Sequence, residues 1–503
     1  MKTDVLIAGA GPVGLTMASE LARYGLSVRL IDKNTQRTDK SKALVLWART
    51  LELIDRMGPD LGPGYADRFI QAGLKTGSAN ILSGSEEIAH VDLAEVDSPY
   101  KFVLMIPQSE TERLLEEHLA TFGVKAERQN ELKSFQETVD GVSCALQHAD
   151  GTEETVEASW LIGCDGAHSV VRHQLGMEFQ GSTLLSDWVL ADLHLSGISG
   201  PPAINIYWHA EGVLALFPLE GTRYRIIADV GESVGSIGEG NRPAPTIEDV
   251  QRILDVRGPG GIQASNPVWL SSFSINERKV QDYRSGRVFL AGDAAHIHSP
   301  AGGQGMNTGM QDACNLAWKL ALVSRGLCQP EPLLGSYSAE RSSIAKLVLE
   351  ATGKATSMAV LRGGIKQSIR DHVASLVLGF APVKHVMANV LSEVAVGYSN
   401  SPLNAPTKHA QGGPEAGKRA PIRQDEPPVG SGKIPLFALY ADPDSMPSGL
   451  LERYGGIVEP ALRAPFHSGG LWLVRPDGYV ALSTKAGSWD AVEAYLNHLR
   501  GVD

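Results

Sequence analysis

The chain carries little that could staple or anchor it. It has four cysteines in 503 residues, Cys144, Cys164, Cys314 and Cys328, and no two stand in a CxxC spacing. A disulfide framework, a zinc site and a redox-active thiol pair are thereby disfavoured. No apolar run approaches the roughly 18 residues needed to cross a bilayer. Met1 leads straight into a strand-like segment, with no basic stretch and apolar core of a secretory leader before it. Positive charge is also short, with 45 Lys and Arg against 57 Asp and Glu and a formal net charge of −12. An acidic surface argues against nucleic acid or an anionic membrane as partner. The expectation is a cytoplasmic protein that needs no metal.

Glycine is plentiful, at 54 residues, and it is patterned. Asp4 to Ala8 reads as a strand. Gly9-Ala10-Gly11-Pro12-Val13-Gly14 follows as GxGxxG. Leu15, Ala18, Leu21 and Ala22 then recur at helical spacing, with Gly25 as the stop. Val28 to Ile31 is a second strand ending in Asp32. In such a unit Gly9 permits the tight turn, Gly11 lets the backbone approach a pyrophosphate, and Gly14 allows close helix–strand packing. The helix N-terminus offers free N–H groups to phosphates, and an acid 18 residues on, Asp32, can accept from a ribose. No second GxGxxG follows a strand, which disfavours enzymes with two dinucleotide domains.

Two further motifs have the same grammar. Residues 160–172 (WLIGCDGAHSVVR) run from an apolar strand into Asp165-Gly166 and a helix-like segment. Residues 286–312 (GRVFLAGDAAHIHSPAGGQGMNTGMQD) run from a strand into Gly292-Asp293. A glycine-rich loop, 301–305, then leads into a helix with Met306, Met310, Ala313, Ala317 and Leu320 on its apolar stripe and Gly326 at its end. Asp293 can bond polyol hydroxyls, and the helix N-terminus can stabilise negative charge. His296 and His298 form HxH, for which a loop hydrogen-bonding role is favoured over metal binding. Arg278 is either a buried partner near a cofactor or a surface charge.

Between the last two motifs, about 183–284, lie short β-prone runs at 188–195, 203–208, 213–217 and 224–230. In AINIYW, Ile204, Ile206 and Trp208 share one face, while Asn205, Tyr207 and His209 share the other. A Pro/Gly/Lys-rich stretch at 402–433 reads as an irregular linker. Beyond it come a strand near Leu471 to Val474, a turn at Pro476-Asp477-Gly478, a strand at Tyr479 to Leu482 and a helix at Ser488 to Arg500.

Taken together, GAGPVG (9–14), CDGAHSVVR (164–172) and GDAAHIHSPAGGQGMN (292–307) resemble the class A flavoprotein monooxygenases, the family of para-hydroxybenzoate hydroxylase and phenol hydroxylase. The resemblance covers roughly residues 1–375 and extends to ALVLWARTLE (43–52) and PQSETE (107–112). It implies an α/β fold: a Rossmann-like FAD-binding domain with an inserted β-sheet substrate domain. LVRPDGYVAL (473–482) resembles the thioredoxin-like tail of phenol hydroxylase-type members. The implied layout is FAD-binding domain 1–182, with strands near 76–105 joining the substrate sheet. The substrate sheet follows at 183–284, the second part of the FAD-binding domain with its following helices at 285–401, the linker at 402–433 and the thioredoxin-like domain at 434–503. Without a CxxC that tail is expected to be structural, association into a homo-oligomer included.

The resemblance also implies roles. Gly9, Gly11, Pro12, Val13 and Gly14 would hold the pyrophosphate, and Asp32 with Lys33 the ribose end. Lys42 stands where many members carry an arginine, keeping the charge but losing the bidentate fork. Gln108 would contact the flavin, Asp165 would be tied to both FAD and nicotinamide-cofactor binding, Asp293 would contact the ribityl chain, Met306 and Asn307 the pyrimidine side of the ring, and Gly305 would also bind the cofactor. Pro300 would lie beside the carbon that carries the peroxide.

The implied reaction uses FAD, NADPH or NADH, and O2 to hydroxylate a phenolic or polycyclic aromatic molecule through a flavin C4a-hydroperoxide. Trp47, Leu216 and Phe217 are candidate pocket walls, and Tyr207, His209 and Tyr224 candidate bases. The phenol hydroxylase branch has an acidic residue near 43–49, whereas Ala43 to Trp47 has none, so either substrate activation differs or the substrate is not a simple phenol. Two readings compete: Baeyer–Villiger oxidation, epoxidation or N-hydroxylation on the same scaffold, and a non-catalytic flavin-binding protein.

Overall fold

The computed structural model describes residues 2–502 except 39–42, 59–63, 85, 233–243, 301, 360–380, 407–411 and 444–445. Lys42 therefore lies outside the described residues.

Strand Lys2–Ala8 is almost wholly buried over Val5 to Ala8, as a strand covered on both faces must be. It pairs in parallel with Val28–Asp32 on one side and with Glu153–Gly163 on the other. Ala126–Arg128 and Val288–Leu290 extend this parallel sheet at its two ends. Helices Pro12–Arg23 and Gly305–Ser324 pack together against it. The C-terminal ends of the central strands meet at one edge, where all three glycine motifs turn. That is where a parallel α/β sheet offers its binding crevice.

A second sheet is built from two 17-residue strands, Gln180–Ser196 and Gln263–Lys279, with Arg223–Glu232, Gly212–Pro218, Ile204–His209, Ser78–Ser83 and Glu86–Asp92 in spatial order beyond them. Its pairings are antiparallel except Ile204–His209 with Ser78–Ser83. The far edge strand, His296–Ile297, comes from the third motif, so that loop is sewn into both sheets. The alternation in AINIYW sorts the faces. Tyr207, Leu214, Leu216, Ile226 and Ala228 pack under helix Ile247–Arg257 through Val250 and Leu254. Phe217, Arg225 and Ile227 point the other way, toward the nucleotide edge.

Residues 402–433 contain no helix or strand among those described, but they are pinned. Ala405, Gly417 and Ala420 bond the backbone of Ala481, Val480 and Gly478. The C-terminal unit is a three-stranded antiparallel sheet, Ala438–Tyr440, Gly470–Val474 and Val480–Lys485, with helix Trp489–Arg500. Its 475–478 turn is driven into the neighbouring helices. Arg475, fully buried, meets Glu340 at 2.5 Å and Asp477 at 2.5 Å. Lys319 meets the same Glu340 at 2.8 Å. Arg49 and Arg56 donate to the carbonyls of Asp477 and Pro476. Charges this deep persist only when each is matched.

Candidate active site

The site begins with three glycines that are constrained differently. Gly9 has φ +101°, and a Cβ there would sit 2.3 Å from the Cys164 carbonyl. A Cβ on Gly14 would lie 1.9 Å from the Gly9 carbonyl. Around Gly11 a Cβ would meet nothing within 4 Å. The first two are glycine because protein fills the space; the third borders open space. Gly11 also caps helix Pro12–Arg23 with no side-chain bond, leaving the first-turn amides for a ligand.

Asp32 ties the second strand to this turn, accepting from the backbone N–H of Ala10 and of Asn34, each at 2.8 Å. Arg128 stands 3.5 Å from the same carboxylate. Asp32, Lys33, Gly11, Gln108 and Asp165 line a cavity of about 250 Å³. Asp165 spends one oxygen on the amides of Val170 and Val171, at 2.7 and 3.3 Å. Its Oδ1 is shielded from water and without a partner. A buried acceptor of this kind awaits a donor.

A second cavity, about 390 Å³, shares Gly11, Gln108, Cys164 and Gly166 with the first. Its floor is Pro12, Val13, Gly305 and Met306; Asp293 and Pro300 stand at its side, and Phe217, Arg225 and Ile227 form its roof. The helix on its floor, Gly305–Ser324, has no side chain capping its N-terminus, so its first amides and positive dipole end face the chamber.

Beneath the floor Asp312 gathers three donors: the Gly292 amide at 3.0 Å, His296 Nε2 at 2.7 Å and Arg341 Nε at 2.6 Å. Burial works against its charge, but Arg341 and His296 outweigh burial and hold the carboxyl below its ordinary value. Glu393 shows the opposite balance. It lies buried against Thr308 and Gln311, and burial pushes it up to about 8 despite those bonds.

Several expected residues land elsewhere. The Asn307 side chain is consumed: its Oδ1 accepts from the Trp47 amide at 2.9 Å, and its Nδ2 donates to Val45 and Gly303. It staples the 45–47 segment to the helix, so only its backbone can serve a cofactor. Trp47 donates from its indole to Gly302 and packs with Val45, Ile204 and Leu219 rather than lining the chamber. Leu216, Tyr207 and Tyr224 point to the helix-covered face of the sheet, and His209 on that face accepts from the Glu211 amide at the turn. Of the three wall candidates only Phe217 reaches the chamber, and none of the three base candidates does, because residues on one strand alternate faces. Arg278 is half-buried and bonds Thr183 away from both cavities. His296 pairs with Asp312 and His298 with the Ser299 carbonyl, and no group of three His, Cys, Asp or Glu side chains that could hold a metal ion occurs among the described residues.

The structure adds groups the sequence reading passed over. Arg225 meets Asp192 in a buried bidentate pair, 2.7 and 2.8 Å, over the chamber. The signal was a charge of each sign inside otherwise apolar strand runs. Asp312 was visible as the last residue of the third motif.

Residues 2–352 match the FAD binding domain family. The chain is 34% identical, over 99% of its length and 93% of the relative's, to 6-methylpretetramide 4-monooxygenase of Streptomyces rimosus. It is 36% identical, over 70% of its length and 69% of the relative's, to 12-dehydrotetracycline 5-monooxygenase/anhydrotetracycline 6-monooxygenase of Streptomyces rimosus subsp. rimosus. The solved anhydrotetracycline hydroxylase OxyS from Streptomyces rimosus superposes with a TM-score of 0.80 at 30% identity, covering 100% of this chain and 99% of that one. The chain belongs to the FAD-binding-domain family of flavoproteins. Within it, the chain is a flavin-dependent monooxygenase of the aromatic hydroxylase class. No described helix is long and apolar enough to cross a membrane.

Proposed function

We propose that the protein hydroxylates a fused-ring phenolic molecule, using FAD, NADPH or NADH as reductant, and O2. The observation that carries this reading is the 390 Å³ chamber, which sets an uncapped helix N-terminus below an apolar sheet face. Relatives named for 6-methylpretetramide and anhydrotetracycline favour a polycyclic substrate.

The residues present fit FAD. Open space at Gly11 and the free amides after it suit a pyrophosphate, Asp32 and Lys33 the ribose end, and the orphaned Oδ1 of Asp165 a cofactor hydroxyl. Asp293 and Gln108, both at the chamber, would serve the ribityl chain and ring edge. The amides opening the Gly305–Ser324 helix would stabilise negative charge on the pyrimidine side. Bound FAD supplies the transfer of two electrons from the nicotinamide and the activation of O2. The protein's own part is to hold the substrate ring and keep water out. Phe217, Ile227, Val45 and Pro300, which line the chamber, would do both. The C-terminal unit, which we read as thioredoxin-like, acts as a brace through Arg475.

The test is NAD(P)H consumption by the FAD-loaded protein across phenols, aromatic acids and hydroxylated polycyclic aromatics under ¹⁸O2. The reading expects a compound that accelerates consumption and gains one labelled hydroxyl. Insertion of oxygen beside a ring carbonyl, or no stimulation by any compound, contradicts it.

A further inference from the structure

We propose that His298 is a specificity residue of the chamber, its Nε2 accepting a hydrogen bond from an acidic hydroxyl on the aromatic substrate. The assignment rests on the hydroxylase reading above.

The geometry fixes the tautomer. His298 Nδ1 lies 2.9 Å from the Ser299 carbonyl oxygen. A carbonyl can only accept, so Nδ1 carries the proton and Nε2 presents a lone pair. That Nε2 is shielded from water and has no partner, yet His298 lines the chamber. A Cβ built on Gly305 would stand 3.6 Å from it, so the lone pair lies beside the opening of the floor helix. The ring stacks on His296, which Asp312 holds in turn, so it is positioned rather than free to swing. Burial, with His296 beside it, lowers His298 to about 4. The imidazole is therefore neutral, and an acceptor, throughout the neutral range.

Among the other polar side chains at the chamber, Asp293 is assigned to the ribityl chain under the reading above, and two more are committed within the protein. Arg225 is clamped by Asp192, and Gln108 donates to Glu112. The surrounding wall of Phe217, Ile227, Ile297 and Met306 is apolar. A phenol entering there must find an acceptor or lose its hydrogen bond to water, a cost that separates it from an ether of the same shape.

The test titrates oxidised, FAD-loaded protein with 1-naphthol and 9-phenanthrol and with their methyl ethers, read by perturbation of the flavin absorbance. FAD affinity of each variant is measured separately. Wild type should prefer the hydroxyl form by roughly tenfold, the size of one hydrogen bond. His298→Phe should reduce the preference to below about twofold while leaving FAD affinity unchanged, and His298→Gln, which keeps an acceptor, should restore part of it. A preference that survives in His298→Phe overturns the assignment alone. So does a variant whose only defect is weaker FAD binding, since His298 would then serve the cofactor. Failure of every ring compound to bind wild type contradicts the hydroxylase reading, and this assignment with it.

Discussion

The floor and the roof of the chamber are built on opposite principles. The floor is backbone packed to its limit. Gly9 and Gly14 have no room for a methyl group, Val13 wedges against Gly292 and Gly309, and the carboxylates and amides beneath are bonded in closed sets around Asp312 and Asn307. The roof is one face of a sheet, where Phe217 and Ile227 are only partly buried at the edges of two apolar clusters and Arg225, clamped by Asp192, is fixed between them. A floor of that kind can hold one shape of ligand. A roof of that kind can be repapered residue by residue, which suits a scaffold whose relatives act on different rings.

That contrast can be broken in steps. Gly14→Ala, which must displace the Gly9 carbonyl, is expected to leave no soluble folded protein, whereas Gly11→Ala should fold with unchanged thermal stability and lose FAD affinity; equal behaviour of the two in expression and FAD titration would end the distinction. Asp312→Asn leaves Arg341 buried without its carboxylate and should cost about 3–5 kcal/mol in denaturant unfolding. Glu393 should reveal itself through pH. Its proton is retained in the native state up to about 8, while the unfolded chain releases it near its ordinary value. The native state is therefore favoured fully at low pH and loses stability as pH rises from about 5 to about 8. Glu393→Gln should remove that slope from a plot of Tm against pH. On the roof, Phe217→Ala should raise KM by roughly tenfold or more, as expected from about 1.5–3 kcal/mol of lost apolar burial, with FAD binding intact. The smallest effect belongs to Tyr207→Phe: on the covered face of the sheet, it should change kcat/KM by less than about twofold, since at most a net hydrogen bond of about 1 kcal/mol is lost, away from the chamber.

The floor was legible because its demands are local. A turn with no room for Cβ, an open turn and a strand-end acid each leave a residue type at a fixed spacing, so Gly9, Gly11, Gly14 and Asp32 could be read from four short segments. The roof is assembled from strands far apart in sequence, and each strand offers two faces. Alternation in AINIYW correctly paired Ile204 with Ile206 and Trp208, but nothing local says which face meets the cofactor, and Tyr207, Tyr224 and Leu216 lie on the helix-covered one. Asn307 shows a third limit. Its place in the motif is plain, yet its side chain is spent on the partner segment 45–47, a contact across 260 residues. The tail motif 473–482 was visible, and its buried Arg475 explains it, but Glu340 and Lys319 carry no mark of that partnership in their own segments.

The most direct measurement is an electron-density map of the protein loaded with FAD and a hydroxylated ring compound. The account expects the pyrophosphate over Gly11 and the isoalloxazine between Met306 and the sheet, with the ligand ring against Phe217 and Pro300. A nucleotide bound away from the 9–14 turn, or a ring on the helix-covered face beside Tyr207, would contradict it.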